Sequence, residues 1–292
     1  MRRFLIILVL GNLLSTVSAI AQSMLVLKSG KVLTIDRGGV LYDKGDSVPL
    51  NKLKRISKMG GRFMIDQDRT LWTVDVRGNF YRQEKDGRVP PDPEDIIIPG
   101  NNFLITKTRN IFIINDQGSM IEAPAIKDFK KPFSAGGNWF VAEMQAVNEK
   151  KYALFVVKGS GAIVEVKVPG LKPEIISGGG RGFMTGYPQF ELFTTSMDGQ
   201  VFSRKELGRF EEKSISDGHN YMVVDDQLLT FSVEGSVFKA GPLKRKDDTI
   251  LGDNFILHEG KLMTIDAQGK LKTFKINFKS ADVEWCSRHG QY

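Results

Sequence analysis

The sequence contains one cysteine, Cys286, and three histidines among its 292 residues. A single cysteine excludes an internal disulfide and any zinc or iron–sulfur site built on several cysteines. Three histidines leave little room for a histidine-rich metal centre. Stretches with helical periodicity are also missing after the first 21 residues, which argues against a helical fold. We therefore expect no metal site, no cofactor and an all-β chain.

The composition is that of a globular protein. Hydrophobic residues make up 41% of the chain, and there are 30 glycines and 11 prolines. This mixture is too apolar for a disordered chain and too heterogeneous for collagen or a coiled coil. The length is sufficient for one large all-β domain or two ordinary domains. The formal net charge is +7.

The first 21 residues have the three parts of a secretory signal peptide. Arg2 and Arg3 form a basic start, residues 4–13 are almost wholly apolar, and Ala19-Ile20-Ala21 matches a small-residue cleavage site. The apolar run is shorter than the roughly 20 residues that a membrane span needs. The sequence therefore predicts a signal peptide over 1–21 and an exported, mature chain over 22–292 without a transmembrane segment. We expect it to be periplasmic or secreted.

Seven copies of one pattern follow the signal peptide. Each copy has a first apolar run, a second apolar run and a turn that ends in glycine; these glycines stand at positions 39, 78, 118, 161, 199, 235 and 269. The spacing approaches the roughly 40–45 residues of a four-stranded propeller blade. The runs are short, rich in Phe, Ile, Val and Thr, and bounded by turn residues, which is typical of strands.

Four strands in each of seven repeats predict an all-β protein, a seven-bladed β-propeller that forms a single domain over 22–292. Six or eight blades, a β-solenoid and two separate β-domains are the alternatives. The bulky residue that opens each first run is expected to pack between blades: Leu25, Phe63, Phe103, Trp139, Phe183, Tyr221 and Phe255. The fourth run of each repeat precedes the next glycine pair, and residues 281–286 complete the last repeat. No shared blade is evident, so we expect the ring to close by packing of the last blade on the first.

The glycine-pair, asparagine and aromatic pattern, exemplified by Gly136-Gly137-Asn138-Trp139, resembles the repeats of tectonin and PQQ-type propellers. The resemblance covers the whole mature chain. With three tryptophans, the chain departs from the tryptophan-rich quinone-binding propellers, and WD40 pairs are absent. The resemblance implies a binding or scaffold role, as in lectin-like propellers or the propeller subunit of outer-membrane assembly machinery.

A polar residue precedes the bulky residue in most repeats, with Met24 and Gly182 as the exceptions. We expect this position to lie at the mouth of the central channel, where it bonds to loop backbone or contacts a ligand. Arg62 and His219 break the asparagine pattern there, and Arg181 follows a glycine-rich run. The candidate ligand-binding residues are Arg62, Asn102, Asn138, Arg181, His219, Asn220 and Asn254.

Basic clusters recur on or next to the predicted outer strands. Lysine on an exposed edge strand prevents edge-to-edge aggregation, and it also attracts anionic surfaces of the cell envelope. Because the chain is predicted to be exported, we expect no nucleic-acid partner. The clusters are Lys52, Lys54, Arg55 and Lys58; Lys127, Lys130 and Lys131; Lys244, Arg245 and Lys246; and Lys270, Lys272, Lys275 and Lys279.

No catalytic residue can be assigned from the sequence, because it contains no H-E-x-x-H, G-x-S-x-G, P-loop or paired metal-ligand motif. The sequence favours an exported, non-catalytic binding or scaffold propeller with a protein or glycan ligand. One alternative is a propeller hydrolase or lyase acting on an extracellular polymer. Its carboxylates would come from loops after first strands, at Asp66, Glu143, Asp225 and Glu259. A periplasmic envelope assembly factor is a third possibility.

Overall fold

The structure is a computed structural model that describes residues 23–83, 90–146, 150–168, 180–185, 189–211 and 215–287. Strands dominate this part of the chain. The helical elements described are one short α-helix, α1 (Leu50–Leu53), and three 3-10 turns at Pro93–Asp95, Lys205–Leu207 and Ser280–Asp282. None of the described helices has the length and apolar character to cross a membrane.

The strands form seven antiparallel sheets arranged as the blades of a β-propeller. Blade 1 contains β28 (Val283–Cys286), β1 (Ser23–Leu27), β2 (Val32–Ile35) and β3 (Leu41–Asp43). Blade 2 contains β4 (Ile56–Met59), β5 (Phe63–Asp66), β6 (Leu71–Val74) and β7 (Phe80–Gln83); blade 3 contains β8 (Ile96–Pro99), β9 (Phe103–Thr106), β10 (Ile111–Ile114) and β11 (Met120–Glu122). Blade 4 contains β12 (Phe129–Ala135), β13 (Trp139–Met144), β14 (Lys151–Val157) and β15 (Ile163–Val166).

The remaining blades complete the circle. Blade 5 contains β16 (Gly182–Thr185), β17 (Gln189–Thr195), β18 (Val201–Ser203) and β19 (Phe210–Glu211). Strands β18 and β19 both pair with β17. Blade 6 contains β20 (Ile215–Asp217), β21 (Tyr221–Val224), β22 (Gln227–Phe231) and β23 (Val237–Pro242); blade 7 contains β24 (Ile250–Leu251), β25 (Phe255–His258), β26 (Lys261–Ile265) and β27 (Leu271–Lys275). The predicted fold class and blade number are confirmed.

The apolar run before each glycine pair belongs to the following blade, which corrects the predicted division of the repeats. Strand β8 pairs with β9, and β4 pairs with β5 in the same way. The reason is the turn between them, which is too tight for a crossover to a neighbouring sheet and folds each run back as a hairpin. The run at 174–176, which was expected to form the fourth strand of its repeat, lies outside the described residues.

The ring closes through a shared blade, so the expectation of closure by packing alone is wrong. Strand β28, from the end of the chain, pairs antiparallel with β1 from its start, and Leu25 lies opposite Cys286. Residues 281–286 therefore complete the first blade rather than the last. Without β28, the backbone groups along one side of β1 would form an open sheet edge.

Each pair of neighbouring blades shares its own cluster of buried apolar side chains. Phe63 packs between blades 2 and 3, Phe103 between blades 3 and 4, and Trp139 between blades 4 and 5. Phe255 lies in the cluster between blades 7 and 1, together with Leu25. The remaining interfaces have equivalent clusters, so the ring is packed continuously through all seven contacts.

Glycine serves two different purposes in the repeat. The glycines that end the turns after the second strand runs have positive φ, from 70° at Gly39 to 92° at Gly161, which other residues rarely adopt. The first glycine of each pair has another role. At Gly100 and Gly252, an added Cβ would overlap the ring of Phe103 or Phe255 three residues later. The aromatic ring therefore lies directly on the glycine backbone.

Candidate functional site

Two sets of turns lie at the same end of the strands, because alternate turns of an antiparallel sheet share one end. The glycine-pair turns of neighbouring blades are joined by backbone hydrogen bonds. The Arg62 amide donates to Asn101 O (2.8 Å), the Asn101 amide to Gly137 O (2.9 Å) and the Gly137 amide to Gly180 O (3.0 Å). The same chain of bonds continues from Arg181 through later blades to Ser287. These turns thus encircle the axis of the propeller.

The second set of turns also reaches the axis. The Met197 amide donates to Val233 O (2.9 Å), and the Val233 amide donates to Ala267 O (3.0 Å). Side chains of Val76, Met197, Val233 and Ala267 form one apolar cluster, although they come from blades 2, 5, 6 and 7. We call these four residues the axial apolar cluster. Blades on opposite sides of the ring can contact each other only near its centre, so apolar side chains fill the axis at this level.

The polar position before the bulky residue is occupied in all seven blades, so the two expected exceptions are wrong. Gly182 lies opposite Thr194, as Phe63 lies opposite Thr73, so Gly182 takes the place of the aromatic residue. Met24 lies opposite Thr34 in the same register. The predicted positions of the bulky residue in these two blades, Phe183 and Leu25, are therefore one residue too late. The axial polar ring consists of Ser23, Arg62, Asn102, Asn138, Arg181, Asn220 and Asn254.

The predicted site residues lie beneath the surface of the protein. No side chain of the axial polar ring is more than 4% exposed, and His219 is 1% exposed. Backbone carbonyls of the ring bond to the third strand of the same blade, for example from the Val74 amide to Arg62 O (2.9 Å). The Arg62 side chain also bonds to backbone, because its Nε donates to Val74 O (3.3 Å). Ligand binding by these residues stays a prediction.

His219 lies one residue before the axial polar ring, in the chain of hydrogen bonds between glycine-pair turns. Its backbone amide donates to Asp253 O, and its imidazole lies against Gly137 of blade 4. Sequence analysis missed Asn101 and Asp253 at this level. Asn101 Nδ2 donates to Asp253 Oδ2 (3.3 Å) between blades 3 and 7. In the sequence, both residues replace the second glycine of the pair that Gly60-Gly61 and Gly136-Gly137 show. This replacement of glycine by a polar residue is the sequence feature that could have identified them.

The two arginines of the axial polar ring have different environments. Arg62 Nη2 donates to Asn115 O (2.5 Å), and Nη1 lies 3.5 Å from Asp116 Oδ1. Burial lowers the pKa of Arg62 to about 10, although the Asp116 carboxylate opposes the shift. Burial lowers the pKa of Arg181 to about 9, and no carboxylate of the described residues opposes the shift. Both side chains still carry their charge at neutral pH.

A second ring of side chains lies on the fourth strand of each blade, next to the second set of turns. Each member packs on the turn of the following blade: the Tyr42, Tyr81, Phe202 and Phe238 rings lie against Gly78, Gly118, Gly235 and Gly269. All members share one register position, opposite the residue that is Thr34 in blade 1. The outer ring consists of Tyr42, Tyr81, Ile121, Val164, Phe202, Phe238 and Lys272.

Four aromatic members of the outer ring are partly or well exposed and held in place. Tyr81 is 39% exposed and Phe238 is 46% exposed. Tyr81 Oη donates to Asp75 Oδ2 (2.9 Å), and Tyr42 Oη bonds to Asp36 in the same manner. The hydrogen bond to Asp75 raises the pKa of Tyr81 above its ordinary value. The Arg204 guanidinium covers Phe202 at 5.0 Å from the ring centroid.

The carboxylates expected for an enzyme lie at the other end of the strands, in four different blades. Asp66 Oδ2 is 3.2 Å from Lys52 Nζ, and Glu143 Oε1 is 2.5 Å from Lys130 Nζ. Glu259 is paired with Lys246. These ion pairs also neutralise parts of three predicted basic clusters. Within the described ranges, no three His, Cys, Asp or Glu side chains are grouped as a metal site.

The comparisons with known proteins concern the fold. No protein-family model and no curated protein matches the chain. Among solved structures, a protein from Lactobacillus plantarum is 11% identical, with a TM-score of 0.32 over 93% of this chain and 99% of that one. Streptogramin B lyase is 10% identical, with a TM-score of 0.27 over 87% and 78% of the two chains.

A third solved structure is PorZ, a bacterial surface component of the type-IX secretion system of Porphyromonas gingivalis. It is 14% identical, with a TM-score of 0.32 over 76% of this chain, and the match spans 33% of the PorZ chain. The roles of these proteins differ, and likenesses at this level carry no information on the function of the present chain.

Proposed function

We propose that this protein is a non-catalytic binding or scaffold module that recognises a protein or glycan through the outer ring. The observation that supports the proposal is the repeated, exposed aromatic position on one face of a closed ring. Tyr42 and Tyr81 are in neighbouring blades, as are Phe202 and Phe238. These two pairs of rings present aromatic surface on one face of the propeller. Tyr81 and Phe238 are the exposed members, whereas Lys44 lies over Tyr42 and Arg204 over Phe202.

The outer ring has the physical properties of a recognition surface. Aromatic side chains supply large contact areas at small entropic cost, and they stack on sugar faces or pack on apolar side chains of proteins. Here, the tyrosines are fixed by Asp36 and Asp75, so little conformational freedom is lost on binding. The rigid scaffold beneath them keeps their spacing constant.

The location that we propose is the cell envelope or the space outside the cell. The predicted signal peptide over 1–21 supports export, with the mature chain periplasmic or secreted. A partner among membrane proteins would make the protein an envelope assembly factor. Contact of the basic clusters with anionic envelope material would add a salt-sensitive contribution to binding. Of the acidic side chains named above, Asp66, Glu143 and Glu259 each form an ion pair with a lysine of their own blade region, which favours a structural role over a hydrolase or lyase site.

The proposal predicts that substitutions in the outer ring weaken the affinity for the captured ligand. Mature protein immobilised on beads is exposed to native envelope fractions, and the labelled protein is applied to a glycan array, both at low salt and at 0.5 M NaCl. The double variant Tyr81→Ala/Phe238→Ala is expected to lose at least about tenfold in affinity for the captured ligand, because aromatic anchors dominate such interfaces.

The matched control is Phe133→Ala, since Phe133 is an aromatic residue of similar exposure (43%) on β12, outside the outer ring. It is expected to bind as the unmodified protein does, and binding is expected to persist at 0.5 M NaCl. Capture that survives the double variant, or that disappears in salt, would contradict recognition by the outer ring. Thermal unfolding of each variant confirms that the fold is intact.

A further inference from the structure

A cavity lies where the two ends of the chain meet the link between blades 1 and 2. Its volume is about 470 Å³, which is in the lower range of small-molecule sites. Lys28 follows β1, Glu284 lies on β28, and the other lining residues belong to α1 and its C-terminal cap residue. Because β28 supplies one wall, the cavity is complete only in the closed ring. The lining consists of Lys28, Leu50, Asn51, Leu53, Lys54 and Glu284.

Hydrogen bonds of the backbone hold the walls of the cavity in place. The Lys28 amide donates to Asp282 O (2.8 Å), which ties the end of β1 to the turn before β28. In α1, the Leu53 amide donates to Pro49 O (3.0 Å). The cavity is therefore preformed, and a ligand that enters it does not have to order the chain first.

The cavity has an apolar floor and an open, partly apolar rim. Leu53 is 3% exposed and belongs to the apolar cluster between blades 1 and 2. Leu50 is 58% exposed, the highest value among the large apolar side chains that the structure describes. A leucine exposed to this degree beside a cavity supplies apolar surface that a ligand can remove from water.

The two lysines of the cavity differ from neighbouring cations. Lys31 and Lys52 each form an ion pair with an aspartate. Lys28 and Lys54 are exposed, and neither forms an ion pair with a carboxylate in the described ranges. Glu284 contributes one negative charge to the lining, so two lysines and one glutamate leave a net charge of +1. The cavity therefore combines apolar surface with a single excess positive charge.

We propose that this cavity binds a medium-chain aliphatic carboxylate. The head group contacts Lys28 and Lys54, and the tail covers Leu50 above the apolar floor. A singly charged head matches the net charge of the lining, whereas a phosphate carries nearly two charges at neutral pH. The two carboxylate oxygens can accept from both ammonium groups, and the Asn51 amide is a further donor. The site lies at the end of β1 opposite to Ser23 of the axial polar ring, and it does not depend on the outer ring.

The first test is calorimetric titration of the mature protein with sodium decanoate below its micelle concentration, for which we expect one saturable site. Acetate has the head group without the tail, and decyltrimethylammonium has the tail with a cationic head. Both are expected to bind at least about tenfold more weakly, because each lacks one of the two complementary parts. Decanoate that does not saturate a site, or that binds no better than decyltrimethylammonium, would overturn the proposal.

Substitutions test the contacts of the head group. The double variant Lys28→Met/Lys54→Met is expected to weaken decanoate binding about tenfold, since each exposed charge contributes up to roughly fivefold. The control Lys58→Met removes a lysine of the same basic cluster that does not line the cavity, and it should bind as the unmodified protein does. Equal losses in the double variant and the control would contradict the site.

Two further variants test the orientation of the ligand. Glu284→Gln removes a charge of the same sign as the carboxylate, so decanoate is expected to bind about twofold more tightly. A weaker affinity would show that the cavity prefers a ligand with a positive group and would contradict the proposal. Leu50→Ser is expected to weaken the binding of decanoate and to leave that of acetate unchanged, and losses equal for both ligands would exclude a tail at Leu50.

A last measurement uses the unmodified protein. Crystals grown with 10-bromodecanoate are examined for anomalous scattering at the bromine edge, and the carboxylate is located from the electron density. The proposal predicts a carboxylate within hydrogen-bond distance of Lys28 Nζ or Lys54 Nζ, and a bromine peak that is connected to it by the tail. Bromine peaks only elsewhere on the protein would refute the site.

Discussion

A chain that ends at residue 279 is expected to lose cooperative folding. The truncation removes β28, so β1 becomes an open edge, and the clusters on both of its faces lose Val283, Trp285 and Cys286. These side chains are partly buried, so their packing contributes about 3 kcal/mol, which is a large fraction of the stability of many domains. Urea unfolding followed by tryptophan fluorescence and circular dichroism measures the loss.

The control is a chain that ends at Ser287, which keeps β28 and the hydrogen bond from the Ser287 amide to Met24 O (2.9 Å). It is expected to unfold in one transition near the midpoint of the full mature chain. If the chain ending at residue 279 unfolded as sharply and at the same urea concentration, closure through β28 would be excluded.

The substitution Gly252→Ala is expected to destabilise the protein by about 3 kcal/mol, the upper range for overpacking of a buried site. The added Cβ would overlap the Phe255 ring, which is fully buried between blades 7 and 1. The ring cannot move aside, because the neighbouring blade occupies the surrounding space. Gly252 does not have positive φ, so backbone strain makes no contribution.

A double-mutant cycle separates this overlap from other effects. Phe255→Leu shortens the side chain above Gly252, so Gly252→Ala should cost less in that background than in the unmodified protein, by about 1 kcal/mol or more. Equal costs in both backgrounds would show that the glycine is required for a different reason. Chemical denaturation of the four proteins provides the comparison.

The repeat itself was predictable, because its signals are local. Turns that end in Gly78 or Gly118 need positive φ, and glycine supplies it, so the seven glycines marked seven blades. The large buried residues Phe63, Phe103 and Phe255 stand 14 or 15 residues before the turn glycines of their blades and mark the interfaces. Both signals depend on one turn or one strand, which a single sequence displays directly.

The strand partners and the register were harder to predict from the sequence, because they depend on contacts between residues that are distant in sequence. Leu25 and Cys286 are partners across almost the entire chain, and nothing local indicates the pairing. Blade 5 has Gly182 where other blades have a bulky residue, so alignment on Phe183 shifted the register by one position. The same shift concealed Ser23 as a member of the axial polar ring. Arg181 was a candidate because it follows a glycine-rich run, and its ring position in blade 5 was not recognised.

The outer ring was not predicted, although each of its members stands three residues after a turn glycine in the sequence. Tyr42, Tyr81, Phe202 and Phe238 share chemistry, but Ile121, Val164 and Lys272 do not. Their common position became clear only from the cross-strand pairing. The burial of Arg62 and His219 could likewise not be predicted from the sequence, because it results from turns of several blades that meet at one axis.

The most direct test of the closed ring uses the native Cys286. Leu25 lies opposite it in the antiparallel pair, and both side chains belong to the cluster between blades 7 and 1. The variant Leu25→Cys is expected to form an intramolecular disulfide under mild oxidation, since directly opposed strand positions satisfy disulfide geometry. Closing so long a loop should stabilise the protein by roughly 4 kcal/mol. Mass spectrometry of peptides and thermal unfolding, with and without reductant, report both effects.

The control Val26→Cys places the thiol in the cluster on the opposite face of β1, and no bond to Cys286 is expected. A 25–286 disulfide in the monomer, formed by the first variant and not by the control, is the result that the closed ring predicts. Free thiols in both variants, or cross-links only between molecules, would contradict it.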